Sequence, residues 1–305
     1  MKIKIYKWIL FSLILAHCVS TQAQKFVRVN QIGYYASMPK IASVVGMEAS
    51  SFEIKDKKTN AVVYSGEIQP SKYWNLSREN IQNIDFSDFT KEGSYYIQVE
   101  DEKSYPFVIS SANTYRELLQ GTIRAFYYWR ASIAIQPPYS SFRGIDYSRE
   151  LGHPDTFVFV HKTAATEKRH VESVISCPKG WYDAGDYNKY VVNSAFSMGL
   201  MLCMYDLVPD YFKSHKVDIP ENGNSTADLL DENMWNLDWL FTMQDYDGGV
   251  YHKLTTPNFE GFIMPKDCKQ QRYMTQKSTC ATLDFAAIMA RCAREYDGSK
   301  DYPEV

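Results

Sequence analysis

Between Lys25 and Ser110 short apolar runs alternate with polar residues, most clearly in Phe52-Glu53-Ile54 and Tyr96-Ile97-Gln98-Val99. A period of two is what a strand with one buried face imposes on a sequence. The pattern predicts strands over 26–30, 41–45, 51–55, 61–66, 81–86, 93–100 and 105–109, each bounded by turn residues. About seven short strands at this spacing predict an all-β immunoglobulin-like sandwich, although the Cys, Trp, Cys signature of antibody domains is missing.

The period changes at Thr114-Tyr115-Arg116-Glu117, a Thr-x-x-Glu capping box opening a helix through Leu118, Leu119, Ile123, Phe126 and Tyr127. Further helices are predicted over 193–207, over 226–244 with Leu229, Leu230, Met234, Leu237 and Phe241 on one face, and over 279–296 with Leu283, Ala287, Ala290 and Ala293. Helix hairpins with functional loops between them imply an all-α barrel or bundle. The stretch 136–189 carries Pro137-Pro138, many Gly and polar residues and no sustained period. A loop of that length inside a compact domain is usually functional. The predicted organisation is multidomain: 1–23 an export signal, 24–110 the sandwich and 111–305 the helical domain.

The N-terminus supplies the first of these parts. Three lysines lie within the first seven residues, an apolar run extends from Trp8 to Ala16, and the chain turns polar at Ser20. That order reads as a secretory signal peptide, too short to span a bilayer, with Thr21-Gln22-Ala23 offering cleavage before Gln24. A lipoprotein signal at Leu15-Ala16-His17-Cys18 is the competing reading and would tether the protein through Cys18. The expected location is therefore secreted or periplasmic.

Composition narrows the partners. A 45% hydrophobic chain has material for real cores, and 33 basic against 36 acidic residues leave a formal charge of −3. Such a balance gives no electrostatic reason to bind nucleic acid or an anionic membrane. Past the signal, Cys177, Cys203, Cys268, Cys280 and Cys292 are odd in number and scattered, which suits neither a disulfide framework nor a zinc site. Cys280 and Cys292 fall in a helical pattern and are expected as small buried hydrophobes.

The densest chemistry is Gly180-Trp181-Tyr182-Asp183-Ala184-Gly185-Asp186-Tyr187-Asn188-Lys189-Tyr190. Asp183 and Asp186 are three apart, so in a turn they can point the same way, roughly 5 to 6 Å apart at Cβ, and share one water. One carboxylate could take a proton from an attacking water while the other holds its second hydrogen. Trp181, Tyr182, Tyr187 and Tyr190 offer flat apolar surfaces for sugar rings. Equally, the two aspartates could cap a helix beginning near Asn188, with the aromatics as core. A structural Ca²⁺ site is not indicated, because an aspartate pair supplies too few oxygen ligands.

This segment resembles the catalytic signature of glycoside hydrolase family 9, the cellulase and β-glucanase family. Val27-Arg28-Val29-Asn30-Gln31-Ile32-Gly33-Tyr34 is similar to the opening of the immunoglobulin-like module that precedes the catalytic domain in one subgroup. Asp228-Leu229-Leu230-Asp231-Glu232, Asp247-Gly248-Gly249-Val250-Tyr251-His252-Lys253 and Ser278-Thr279-Cys280-Ala281-Thr282-Leu283-Asp284 resemble further family blocks in the same order. The segment 153–181, with His161-Lys162-Thr163-Ala164-Ala165-Thr166, is similar to cellodextrin-acting and xyloglucan-acting members.

The resemblance implies a β-sandwich followed by part of an (α/α)6 barrel and inverting hydrolysis of β-linked glucans. It implies Asp186 as general base, Asp183 as its partner in placing water, and a β-glucan polysaccharide or oligosaccharide as ligand, with no cofactor. It offers His252 as a sugar-subsite residue, though a structural loop histidine fits the residue type as well. Some relatives hold zinc with cysteines and histidines near the first helix; Tyr127, Tyr128 and Ala131 stand here instead, so no metal is carried over. The family's general acid is a glutamate near the C-terminal end of the catalytic domain. None of Glu221, Glu232, Glu260 and Glu295 matches it, so the sequence is expected to be the N-terminal piece of a longer enzyme, or else a non-catalytic glucan-binding or inactive fragment.

Overall fold

A computed structural model describes residues 26–111 and 114–305. The expected signal peptide, its cleavage site and Cys18 lie outside the described residues. The chain divides into two compact units, one ending at Glu117 and the other running Leu118–Val305.

The first unit is a two-sheet sandwich. One sheet orders β1 (Val27–Arg28), β3 (Ile41–Val45), β7 (Glu79–Asp85) and β6 (Lys72–Trp74). The other orders β2 (Tyr34–Tyr35), β10 (Phe107–Ser110), β8 (Gly93–Val99), β4 (Ser51–Asp56) and β5 (Val62–Glu67), with β9 (Glu102–Lys103) on β8. Alternation sets the register: Ala42 faces Ile84 across β3 and β7, Ile54 faces Ile97 across β4 and β8, and all four are buried. Tyr34 packs edge-on between Phe86 and Phe107, at 5.1 and 5.3 Å between centroids, and closes the core. Strands β2, β6 and β9 escape the period-two reading because they are two or three residues long, and β6 is exposed throughout, leaving nothing to alternate.

The second unit is built on helices α1 (Arg116–Trp129), α2 (Val191–Leu207), α3 (Pro209–Ser214), α4 (Asp228–Thr242) and α5 (Thr279–Glu295). At the start of α1 the Thr114 hydroxyl donates toward the carbonyls of Tyr34 and Ser110, at 3.3 and 3.4 Å. On α4 the expected face holds: Leu229, Leu230, Met234 and Leu237 are buried, although Phe241 is exposed. On α5 it does not. Ala281, Phe285, Ile288 and Cys292 face the core, while Leu283 on the predicted stripe is 64% exposed. Cys280, expected to be buried, is exposed because it lies off that core face.

The stretch without sustained period is not structureless. Val158–Val160 pairs antiparallel with Val174–Ile175 and parallel with Tyr273–Met274, which continues through Lys253–Thr255 to Lys189–Tyr190 as a five-stranded sheet. Strands of two or three residues carry too few alternations to be read from sequence.

Candidate active site

The segment 180–190 is gripped at both ends. At its start Gly180 has φ of +80°, and a Cβ there would stand 2.8 Å from the Trp239 ring, so only glycine fits. The Gly180 carbonyl accepts from Ala131 N–H at 2.8 Å, and the Tyr182 N–H donates to the Trp129 carbonyl at 2.9 Å, pinning the segment to the end of α1. At its other end Tyr190 pairs with Lys253 in the sheet, and Val191 N–H donates to the His252 carbonyl as α2 begins. Between these anchors the Asp183 N–H donates to the Asn188 carbonyl at 2.9 Å and folds the two aspartates into one tight turn.

Neither aspartate caps a helix. The N-cap of α2 is Tyr190, in extended geometry and without a side-chain cap. Asp186 instead accepts from three donors: Asn188 N–H at 3.2 Å, Asn188 Nδ2 at 3.3 Å and the Tyr190 hydroxyl at 2.9 Å. A carboxylate has about four lone-pair sites, so Asp186 is oriented with about one left for a further hydrogen. Asp183 accepts from Asn193 Nδ2 at 2.7 Å through one oxygen. Both aspartates are half-buried. Asn193 lies on the first turn of α2, where its place in a helical pattern hid its role.

A small recess of about 90 Å³ opens at Asp183, walled by Phe126, Trp129, Trp181, Tyr182, Tyr190 and Asn193 among others. Trp181 and Tyr182, read from sequence as sugar platforms, are 4% and 3% exposed and form its floor. The Trp181 indole donates to Glu232 at 2.8 Å and packs on Phe126 at 4.8 Å, and the Tyr182 hydroxyl lies 3.0 Å from His153 Nδ1. Burial drives the Tyr182 phenol well above its ordinary pKa, and burial also lowers His153 to about 4. The ring with most free surface is Trp129, 44% exposed, which sequence reading passed over because it closes a run of helical aromatics.

On the far side of Asp186, Tyr190 and His252 meet edge-to-face at 6.3 Å, and the Lys253 ammonium sits 5.1 Å over the Tyr190 ring. Burial and then Asp186 raise the Tyr190 phenol to about 12, so it remains a hydrogen donor at any ordinary pH. His252 is lowered by partial burial, with Lys253 adding to the effect. Beyond Lys253 a cleft of about 610 Å³ continues past His161, Thr255, Tyr273 and Thr275. Oriented carboxylates and a recess walled by aromatic rings can together hold a water against a neutral ligand.

Three of the glutamates weighed as a possible acid are paired with arginines. Arg130, fully buried, contacts Glu232 and Glu221 and stacks on Trp235 at 4.6 Å. Burial opposes its charge, but the two glutamates outweigh it and hold the guanidinium above its ordinary pKa. Glu295 pairs with Arg294 at 2.6 Å. Among the described residues no group of three or more His, Cys, Asp or Glu is placed to hold a metal ion, and no helix is long and apolar enough to cross a membrane.

Comparison with known proteins bears on both units. Residues 22–104 match the cellulase N-terminal Ig-like domain, and residues 115–304 match glycosyl hydrolase family 9. A xyloglucan-specific endo-β-1,4-glucanase of Bacteroides ovatus is 45% identical over 279 residues, covering 91% of this chain and 46% of its own length. Endoglucanase D of Acetivibrio thermocellus is 34% identical, covering 88% of this chain and 41% of that protein. A solved Bacteroides ovatus family 9 structure superposes with a TM-score of 0.84 at 44% identity, over 91% of this chain and 50% of the other. The chain thus spans about half the length of the relatives it matches.

Proposed function

This chain belongs to glycosyl hydrolase family 9, and from that premise we propose that it acts on β-linked glucans, with Asp186 as general base and Asp183 as the second carboxylate that places the attacking water. The observation that carries this is the orientation of Asp186 by Asn188 and Tyr190 inside one turn with Asp183. Water attacks the anomeric carbon, Asp186 takes the proton released, and Asp183 accepts the other hydrogen. Attack from that side inverts the anomeric centre and needs a carboxylic acid roughly 6.5 to 9.5 Å away to protonate the leaving oxygen.

Xyloglucan leads the substrate classes, since the relative that is 45% identical is named for it. Cellulose, cellodextrins and mixed-linkage glucan follow. Trp129, Tyr190 and His252 supply the sugar-facing surface nearest the turn, with Trp181 and Tyr182 beneath it. A polymeric substrate suits an exported protein, the fate the N-terminal segment predicts. A second reading is glucan binding without cleavage: Glu221, Glu232 and Glu295 are engaged by arginines, which leaves Glu260, whose Oε1 has no hydrogen-bond partner among the described residues, as the one of the four glutamates not so held.

The test is hydrolysis of xyloglucan, mixed-linkage glucan and carboxymethylcellulose by the full chain, followed by proton NMR of the first products. The enzyme reading expects new reducing ends to appear first as the α anomer and to vanish with Asp186→Asn. A β anomer first would exclude inversion. Retention of the chain on immobilised glucan without any product would establish the binding reading in its place.

A further inference from the structure

Beneath the aspartate turn lies a buried charge cluster that the proposed chemistry does not use. The Asp155 carboxylate is wholly buried and pairs with Lys189 Nζ at 2.8 Å and Arg272 Nε at 3.1 Å, and neither cation's side chain is more than 6% exposed. Lys189 Nζ also donates to the Cys177 carbonyl at 2.8 Å and the Lys179 carbonyl at 2.7 Å. All three ammonium hydrogens are thereby used. Arg272 Nη1 donates to the Tyr187 carbonyl at 2.7 Å, and the Cys177 N–H donates to the Asp155 carbonyl at 2.7 Å.

The backbone atoms held are not random. Cys177 and Lys179 lie just before the turn, Tyr187 lies within it, and Lys189 closes it, so Asp183 and Asp186 ride on a segment whose two stems are tied to one carboxylate. Three residues in this web, Asp155, Lys179 and Tyr187, have φ of 50°, 63° and 55°. Left-handed backbone at non-glycine residues persists only where surroundings over-determine it. Buried ion pairs are poor devices for stability, since apolar residues of similar volume commonly serve as well or better. A buried network with satisfied donors does, however, specify one geometry.

We propose that Lys189 is a positioning residue of the site: with Asp155 as its fixed counter-charge, it closes Cys177–Lys189 into a rigid ring from which Asp183 and Asp186 project, while Arg272 fixes the Tyr187 carbonyl. The catalytic meaning of that ring rests on the function proposed above, but the positioning itself does not.

Hydrogen exchange on the full chain tests it without requiring turnover. Lys189→Met fills similar space without donors and leaves Asp155 paired with Arg272. The expected result is exchange about tenfold faster or more at the Asp183 and Asn188 amides, which hold the tip of the turn, with wild-type rates kept at Leu237 and Leu240 in α4. An equal rise at both sets would mark a residue that only stabilises the fold, and unchanged rates at 183 and 188 would overturn the proposal. Should Lys189→Met not fold, Arg272→Gln is the second variant, expected to release the Asn188 amide in the same selective way. Binding of cellotetraose, followed in parallel, separates the two claims. Faster exchange at the turn with no cellotetraose binding even by the wild type supports positioning and counts against the β-glucan reading.

Discussion

Among the described residues, the Tyr190 hydroxyl is the one side-chain donor to Asp186 that comes from outside the turn's own tip, at 2.9 Å. Removing it leaves Asp186 held by Asn188 alone, free to rotate away from the water it must deprotonate. Tyr190→Phe is therefore expected to lower turnover on xyloglucan roughly tenfold with KM little changed; an unchanged rate would show that Asn188 suffices. Two other residues set opposing pH responses. His153, lowered by burial to about 4, is neutral in the fold, so its contribution is full above the unfolded value of 6.5 and is lost as pH falls through about 4. Asp231, raised by burial to about 6 from 3.8, favours the fold below 3.8 and loses that contribution as pH rises through about 6. Each shift is worth up to about 3 kcal/mol, and between pH 4 and 6 they offset one another. Asp231→Asn should leave the His153 contribution unopposed, so that urea midpoints climb more steeply from pH 4 to 6.5 than in the wild type. Parallel curves would contradict that assignment.

At the scale of elements, the Gly180 turn makes the sharpest demand. Its left-handed φ and the 2.8 Å approach of Trp239 leave no room for Cβ. Gly180→Ala is expected to cost about 2–4 kcal/mol, read as a lowered urea midpoint, because strain and overpacking act together. Helices and long strands were legible in the sequence where one face alone is apolar, as for Leu229, Leu230, Met234 and Leu237 on α4, whose other buried positions are largely polar, Asp228, Asp231, Glu232, Asn233 and Asn236 among them. They were misread where a helix is apolar on more than one side. On α5 the stripe of Leu283, Ala287 and Ala290 competes with Ala281, Phe285 and Ile288, and periodicity cannot say which of two apolar faces meets the core. The aspartate turn was visible as a motif, but its supports were not. Asn193 lies only ten residues from Asp183, yet it reads as helix, while Lys189 and Arg272 look like ordinary surface cations until the fold buries them beside Asp155.

Across the whole molecule, both units leave large apolar side chains open, Tyr73, Trp74 and Leu76 of the first among them. In the second unit Phe196 and Leu200 on α2 and Leu283 on α5 are 68%, 53% and 64% exposed, beside a groove that includes Ala195, Ala287 and Ile288. Apolar surface gathered in this way drives association in water. The chain is expected to self-associate as its concentration rises, and Phe196→Glu with Leu283→Glu should shift light-scattering masses toward the monomer. A wild type that stays monomeric at high concentration would contradict this. The architecture of a sandwich followed by part of an (α/α)6 barrel was available from strand count, helix pattern and resemblance together. The small sheet that fixes Tyr190 against Lys253 was not, because it is assembled from pairs and triplets of residues far apart in the chain.

The most direct measurement of the central claim, that β-glucan engages the turn carrying Asp183 and Asp186, is calorimetric titration of the full chain with a xyloglucan oligosaccharide, comparing wild type with Tyr190→Ala. The wild type is expected to bind measurably, and the variant to bind about tenfold or more weakly with thermal unfolding little altered. Equal affinities would place the glucan site elsewhere on the molecule, and the role given to the turn would fall with it.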